Sequence, residues 1–126
     1  GGGSQGDNGE SDQAHEELIR TDLLNYGYTS VDQMYQATGA SAAQVTTNLN
    51  QGRGVITYTG HGSDTSWVTT GFNNTNVNAL TNTNMLPFIA SVACVNGNFV
   101  SQTCFAESWL RAQSGGNPTG GWASAR

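Results

Sequence analysis

Two short apolar stretches, each stopping at a reactive side chain, constrain this chain more than any other feature. Residues 54–63 read Gly-Val-Ile-Thr-Tyr-Thr-Gly-His-Gly-Ser, and residues 86–98 read Leu-Pro-Phe-Ile-Ala-Ser-Val-Ala-Cys-Val-Asn-Gly-Asn. Both begin as β-branched and aromatic runs, the pattern of a strand buried in a sheet. The first ends at His61, between Gly60 and Gly62; the second ends at Cys94, after Ala93. Open α/β sheets gather their chemistry in the crevice beyond the carboxyl ends of the strands. Two adjacent parallel strands ending in this way hold a base beside a thiol.

The rest of the chain alternates around these two runs. Apolar residues Ala14, Leu18, Ile19, Leu23 and Tyr26 recur at helical spacing over residues 13–26, with Ser11 or Asp12 as the cap and Gly27 as the stop. Residues 28–35 alternate well enough for a polar, edge-like strand. Ser41-Ala-Ala-Gln44 has capping-box form ahead of Val45 and Leu49, and Gly52 closes that helix. A strand over 54–59 follows, then a long polar connection carrying Trp67 and Phe72, and a short helical piece at 77–80. The second strand is expected over 87–93. A helix is expected over 105–113 with Phe105, Ala106, Trp109 and Leu110 inward, stopped by Gly115, Gly116 and Pro118. The segment 120–126 reads as a strand barely begun. Such alternation predicts an α/β fold with a mainly parallel sheet and helices on both faces.

Length and composition narrow the function classes. At 126 residues the chain is one domain or part of one; it opens inside a glycine-rich loop and closes in an unfinished strand, so it reads as an internal fragment. The net charge of −5 arises from nine acids against four arginines, with no lysine. No basic stripe is available to neutralise phosphates, which argues against nucleic acid as a partner. Charged residues make up only 10%, with Asn, Thr, Ser, Gln and Gly in their place, a composition suited to an extracellular protein. No apolar run reaches the roughly 18 residues of a membrane span. Two cysteines allow one bridge at most, which does not make a disulfide framework.

Each reactive residue also has a bland reading. A lone cysteine is as a rule a small inert hydrophobe. Cys94, however, is followed by Val95-Asn96-Gly97, the chemistry of an exposed bend, which brings its thiol to the crevice. A loop histidine is commonly just solvated, but glycines on both sides of His61 let the backbone approach a ligand and offer unencumbered N–H groups. The pair is far more specific than either member. Cys104, at a helix start, reads as packing between helix and sheet; His15 reads as locally hydrogen-bonded, and Glu107 as a helix-dipole partner. The histidines and cysteines lack zinc spacing. Asp12 is either a helix cap or, because its loop lies at the same carboxyl edge, the charged floor of a substrate pocket.

The motifs Tyr58-Thr-Gly-His-Gly-Ser63, Leu86-Pro-Phe-Ile, Val92-Ala-Cys-Val-Asn-Gly-Asn-Phe99 and Cys104-Phe-Ala-Glu-Ser-Trp-Leu-Arg-Ala-Gln113 resemble the catalytic domain of the gingipains. The opening Gly-Gly-Gly-Ser-Gln-Gly-Asp-Asn-Gly-Glu-Ser-Asp12 is similar to them too, so the likeness spans nearly the whole chain. Gingipains are secreted bacterial cysteine endopeptidases of caspase-like fold. The resemblance implies that residues 1–126 form part of such a catalytic domain. It implies Cys94 as nucleophile, His61 as general base, and the backbone N–H groups of Gly62 and Cys94 as the oxyanion hole. It further implies that Asp12 binds the basic side chain before the cut, on the arginine side of the family's arginine or lysine preference. The family's histidine-orienting acid would precede Gly1, and its aromatic pocket wall would follow Arg126. No cofactor is expected within this segment, the family's calcium sites falling elsewhere. The expected partners are protein or peptide substrates. A non-enzymatic extracellular binding or adhesion module derived from such a peptidase is the rival expectation.

Overall fold

The computed structural model describes residues 9–100, 102–114, 117, 118, 120 and 122–125. Helix α1 spans Asp12–Tyr26, a 3-10 turn spans Gln36–Thr38, and α2 spans Ala42–Asn50. Strand β1 is Val55–Thr59, followed by β2 (Gly62–Ser63), β3 (Ser66–Trp67) and β4 (Phe72–Asn73). Then come α3 (Asn74–Asn78), β5 (Phe88–Val92), α4 (Phe105–Arg111), β6 (Gln113–Ser114), β7 (Asn117–Pro118) and β8 (Trp122–Ala125).

The central sheet has the order β1-β5-β8, all parallel, with Val55 opposite Phe88 and Thr59 opposite Val92. Register and alternation place Ile56, Tyr58, Ile89 and Ser91 on one face, and Thr57, Thr59, Ala90 and Val92 on the other. The first face carries the core. Trp67, Phe72, Phe105 and Trp109 form an aromatic cluster, with Phe72 stacked on Trp109 at 5.5 Å and Phe105 edge-on to Trp67 at 5.2 Å. Val45 and Leu49 of α2, with Val77, Leu80 and Ile89, complete it.

The second face is covered over β1 by α1, and here the contact is polar. Glu16 accepts from Thr57 Oγ1 at 2.5 Å and from Thr59 Oγ1 at 2.7 Å, so one carboxylate grips both outward threonines of β1. No α1 residue is fully buried. Helices therefore lie on both faces of a parallel sheet, as the alternation predicts. No helix among the described residues is long and apolar enough to cross a membrane.

Several elements depart from the sequence reading. Residues 28–35 form no strand; they line a cavity together with residues of β1 and are held by side chains. Arg53 Nε donates to Asp32 at 2.6 Å and Gln33 Nε2 to Glu17 at 2.8 Å, while none of these residues joins a sheet ladder. Alternation alone does not make a strand without a paired backbone. The expected polar connection after β1 is instead a small antiparallel sheet, β2-β3-β4, which buries Trp67 and Phe72. Helix α3 starts earlier than expected because Asn73 and Asn76 form a reciprocal capping box. In α4 the inward residues are Phe105, Ser108 and Trp109, whereas Leu110 is 58% exposed. The spacing i, i+3, i+4 sets the buried stripe, and Leu110 falls outside it. Helix α4 stops at Ala112, and Gln113–Ser114 pairs with Asn117–Pro118. The glycine-rich opening, residues 1–8, and the expected stop at Gly115 and Gly116 lie outside the described residues.

Candidate active site

The site grows out of the parallel pair β1 and β5. The ladder runs one residue past Thr59, where Gly60 N–H donates to Val92 C=O at 3.1 Å. His61 therefore leaves the sheet beside the point where Ala93 and Cys94 leave it. His61 and Cys94 are both exposed, and Cys94 is a free thiol. Cys104 is also free but only 2% exposed, at the N-cap of α4, which agrees with a packing role.

The backbone around His61 is held from two sides. Its carbonyl accepts from the Tyr58 phenol at 2.7 Å and from Val68 N–H at 3.0 Å. Tyr58 is itself clamped, stacked on Trp67 at 4.8 Å and hydrogen-bonded to Thr69 Oγ1 at 3.0 Å. Burial, and secondarily the carboxylate of Asp12, raise the Tyr58 phenol above its ordinary value, so it stays a donor. The Val68–His61 bond makes Gly62 and Trp67 a pair that shares no mutual hydrogen bonds, which directs the Gly62 N–H away from β3.

Cys94 sits before an unusual turn. Val95 has φ +53°, a left-handed conformation that a β-branched residue rarely adopts. Residues held in this way cluster at functional sites; each costs about 1–3 kcal/mol and persists only where its surroundings over-determine it. Here they do. Asn98 N–H closes the turn on Val95 C=O at 3.0 Å, and Asn98 Nδ2 reaches Asp64 at 2.9 Å. The buried Asn96 side chain crosses to the His61 hairpin, donating to the carbonyls of Ser63 (2.6 Å) and Ser66 (3.0 Å). The two turns are pressed so closely that a Cβ on Gly62 would lie 2.5 Å from the Cys94 carbonyl oxygen and 2.9 Å from Ala93 Cβ.

Asp12 is not a cap. Ser11 Oγ fills that position by accepting from Ala14 N–H at 3.1 Å, which leaves Asp12 in the first turn of α1. One turn further along, Glu16 sits over Thr57 and Thr59, so Asp12 lies roughly 6 Å further along the helix axis. Its carboxylate is near enough to Tyr58, on β1, to act on that phenol. Asp12 also lines a cavity of about 190 Å³ beside β1, with Tyr58, Thr59, Trp67 and Thr70; His61 and Cys94 are not part of that lining. His15 bonds locally to Glu10 at 2.7 Å, as its bland reading expects; Glu107 lies in the first turn of α4, as a dipole partner would, and also pairs with Arg111 at 2.8 Å. The bracing by Tyr58 and Asn96 escapes sequence reasoning; only the Asn96-Gly97 turn signal marked the neighbourhood.

Comparison with known proteins supplies the remaining context. The profile of peptidase family C25 matches residues 2–126. Over 120 residues the chain is 49% identical to gingipain R2 of Porphyromonas gingivalis, a match covering 94% of this chain and 16% of that protein. Lys-gingipain HG66 of the same organism is 37% identical over 93 residues, covering 73% of this chain and 5% of that one. The crystal structure of the Arg-specific cysteine proteinase gingipain R superposes with a TM-score of 0.85 at 47% identity, covering 95% of this chain and 28% of that chain. The fold is thus caspase-like, seen in part, and the chain spans a small fraction of the length of these relatives.

Proposed function

This chain belongs to peptidase family C25, and on that premise we propose that it carries the nucleophile and base of a secreted cysteine endopeptidase that cuts proteins and peptides after arginine. The observation that carries the reading is the close seating of the two strand-end turns, with Gly62 against the Cys94 carbonyl and both reactive side chains exposed beside it. Cys94 gives its proton to His61, and the thiolate electron pair bonds to the scissile carbonyl carbon. The oxyanion is held by the N–H groups of Gly62 and Cys94; losing one such donor typically costs about 3 kcal/mol in the barrier. The C–N bond breaks as His61 protonates the leaving amine. Water then attacks the thioester, passing its proton to His61, and the C–S bond breaks to restore the pair. This sequence uses no cofactor within the segment.

Asp12 supplies the specificity in this reading. A carboxylate at the mouth of the site meets a guanidinium in a charge-assisted contact that suits arginine. The higher identity to gingipain R2 than to Lys-gingipain HG66 supports the same choice. The test is turnover of peptidyl-arginyl substrates by the full-length protein. Cys94→Ala should abolish it, His61→Ala should lower it by orders of magnitude, and Cys104→Ser should leave it within a few-fold. Equal losses at Cys94 and Cys104, or full activity without Cys94, would overturn the reading.

A further inference from the structure

Asn96 is 1% exposed, and its whole side chain is committed. Nδ2 donates to the carbonyls of Ser63 at 2.6 Å and Ser66 at 3.0 Å, one on each strand of the His61 hairpin. Oδ1 accepts from Ser91 Oγ at 3.2 Å on β5, and Ser91 in turn accepts from Trp67 Nε1 at 2.9 Å. The Asn96 main-chain carbonyl accepts from Ala106 N–H at 3.0 Å in α4. Two carbonyls on one side and a hydroxyl on the other fix which end of the amide is nitrogen. The residue stands two positions after Cys94, directly after the left-handed Val95. A Cβ on Gly62 would come within 2.9 Å of Nδ2, so the amide fills the space between the two turns.

We propose that Asn96 is a positioning residue of the reaction: its two N–H donors hold the Cys94 turn against the His61 hairpin and so set whether thiol and imidazole meet as an ion pair. The inference rests on the peptidase reading, because only a proton-sharing pair is sensitive to that separation. Proton transfer needs heavy atoms within about 2.6–3.2 Å, and a displacement of about 1 Å can cost 100-fold in rate.

The test is the pH profile of Cys94 alkylation by iodoacetamide in the full-length protein, read beside kcat and KM on a peptidyl-arginyl substrate. A thiol paired with imidazolium reacts well below its ordinary pKa of about 8.5. The unsubstituted protein should show that low-pH limb. Asn96→Ala should lose it and drop kcat by about 100-fold with KM within a few-fold. Asn82→Ala is the comparison: Asn82 is 0% exposed and donates to the Met85 carbonyl at 2.9 Å on the approach to the other end of β5. It should lower the melting temperature while leaving the profile and kcat unchanged. If Asn96→Ala does not fold, Ser91→Ala removes the anchor of Oδ1 and should move both readouts in the same direction, by about 10-fold in kcat. An Asn96→Ala or Ser91→Ala protein that folds with an unaltered profile and kcat overturns the proposal, as does an equal effect of Asn82→Ala. If the unsubstituted protein lacks the low-pH limb and does not cleave, the peptidase reading falls and the proposal falls with it.

Discussion

At the scale of single residues, the site depends on groups that have no chemistry of their own. Gly62 is the sharpest case, because the atoms its missing Cβ would strike are the Cys94 carbonyl, the Ala93 Cβ and the tethered Asn96 amide, none of them the far end of a flexible side chain. Gly62→Ala should destabilise by about 1–3 kcal/mol, the usual cost of overpacking, and reduce turnover further by parting the turns. Chemical denaturation beside kcat/KM separates the two effects. Tyr58→Phe removes the donor to the His61 carbonyl and should cost about 1 kcal/mol. It also has a pH signature. Burial raises the Tyr58 phenol in the folded state above its unfolded value of 10.0, so the folded protein keeps a proton that the unfolded chain gives up. That contribution is complete below pH 10 and is lost as the pH climbs through the raised value; Tyr58→Phe should flatten the alkaline fall in stability. For Asp12, the Asn variant should lose about 2–5 kcal/mol of preference for arginyl over uncharged substrates, by analogy with desolvated charge pairs, with little change in stability because Ser11 holds the cap. An unchanged kcat/KM ratio would remove Asp12 from the specificity site.

At the scale of elements, what was legible in the sequence is what local chemistry decides. The α2 box was readable from Ser41 and Gln44, and both of its reciprocal bonds are present. Ser41→Ala should therefore cost about 1 kcal/mol, measurable as a shift in urea midpoint. His61 and Cys94 were readable because a buried strand ends visibly when apolar residues give way to glycine or a turn. The strand expected at 28–35 was not there because pairing is a property of neighbours, and that segment is held by Arg53 and Glu17 instead. The β2-β3-β4 sheet was missed for the converse reason: its strands are two residues each, too short for any period to register. Asn96 and Tyr58 act through partners that include residues 30 or more positions away or a stacked Trp67, and no local pattern records these. Trp109 was readable as inward, and its place in the aromatic cluster makes Trp109→Ala a loss of about 3–5 kcal/mol.

At the scale of the whole molecule, the sheet has two unlike faces. The aromatic face packs Trp67, Phe72, Phe105 and Trp109 against Ile89, and through Tyr58, Ser91 and Asn96 it ties down the turns that carry His61 and Cys94. The other face meets α1 through Glu16 and two threonines, with Asp12 one helical turn before Glu16. In the proposed reading, nucleophile and base come from the ends of β1 and β5, and the charge that selects the substrate comes from the first turn of α1. The most direct test is covalent labelling of the full-length protein with a peptidyl-arginyl chloromethyl ketone, followed by peptide mapping. One adduct is expected, on Cys94 and not Cys104, formed slowly or not at all in His61→Ala. Labelling of both cysteines at equal rates, or an adduct on Cys94 indifferent to His61, would contradict the account.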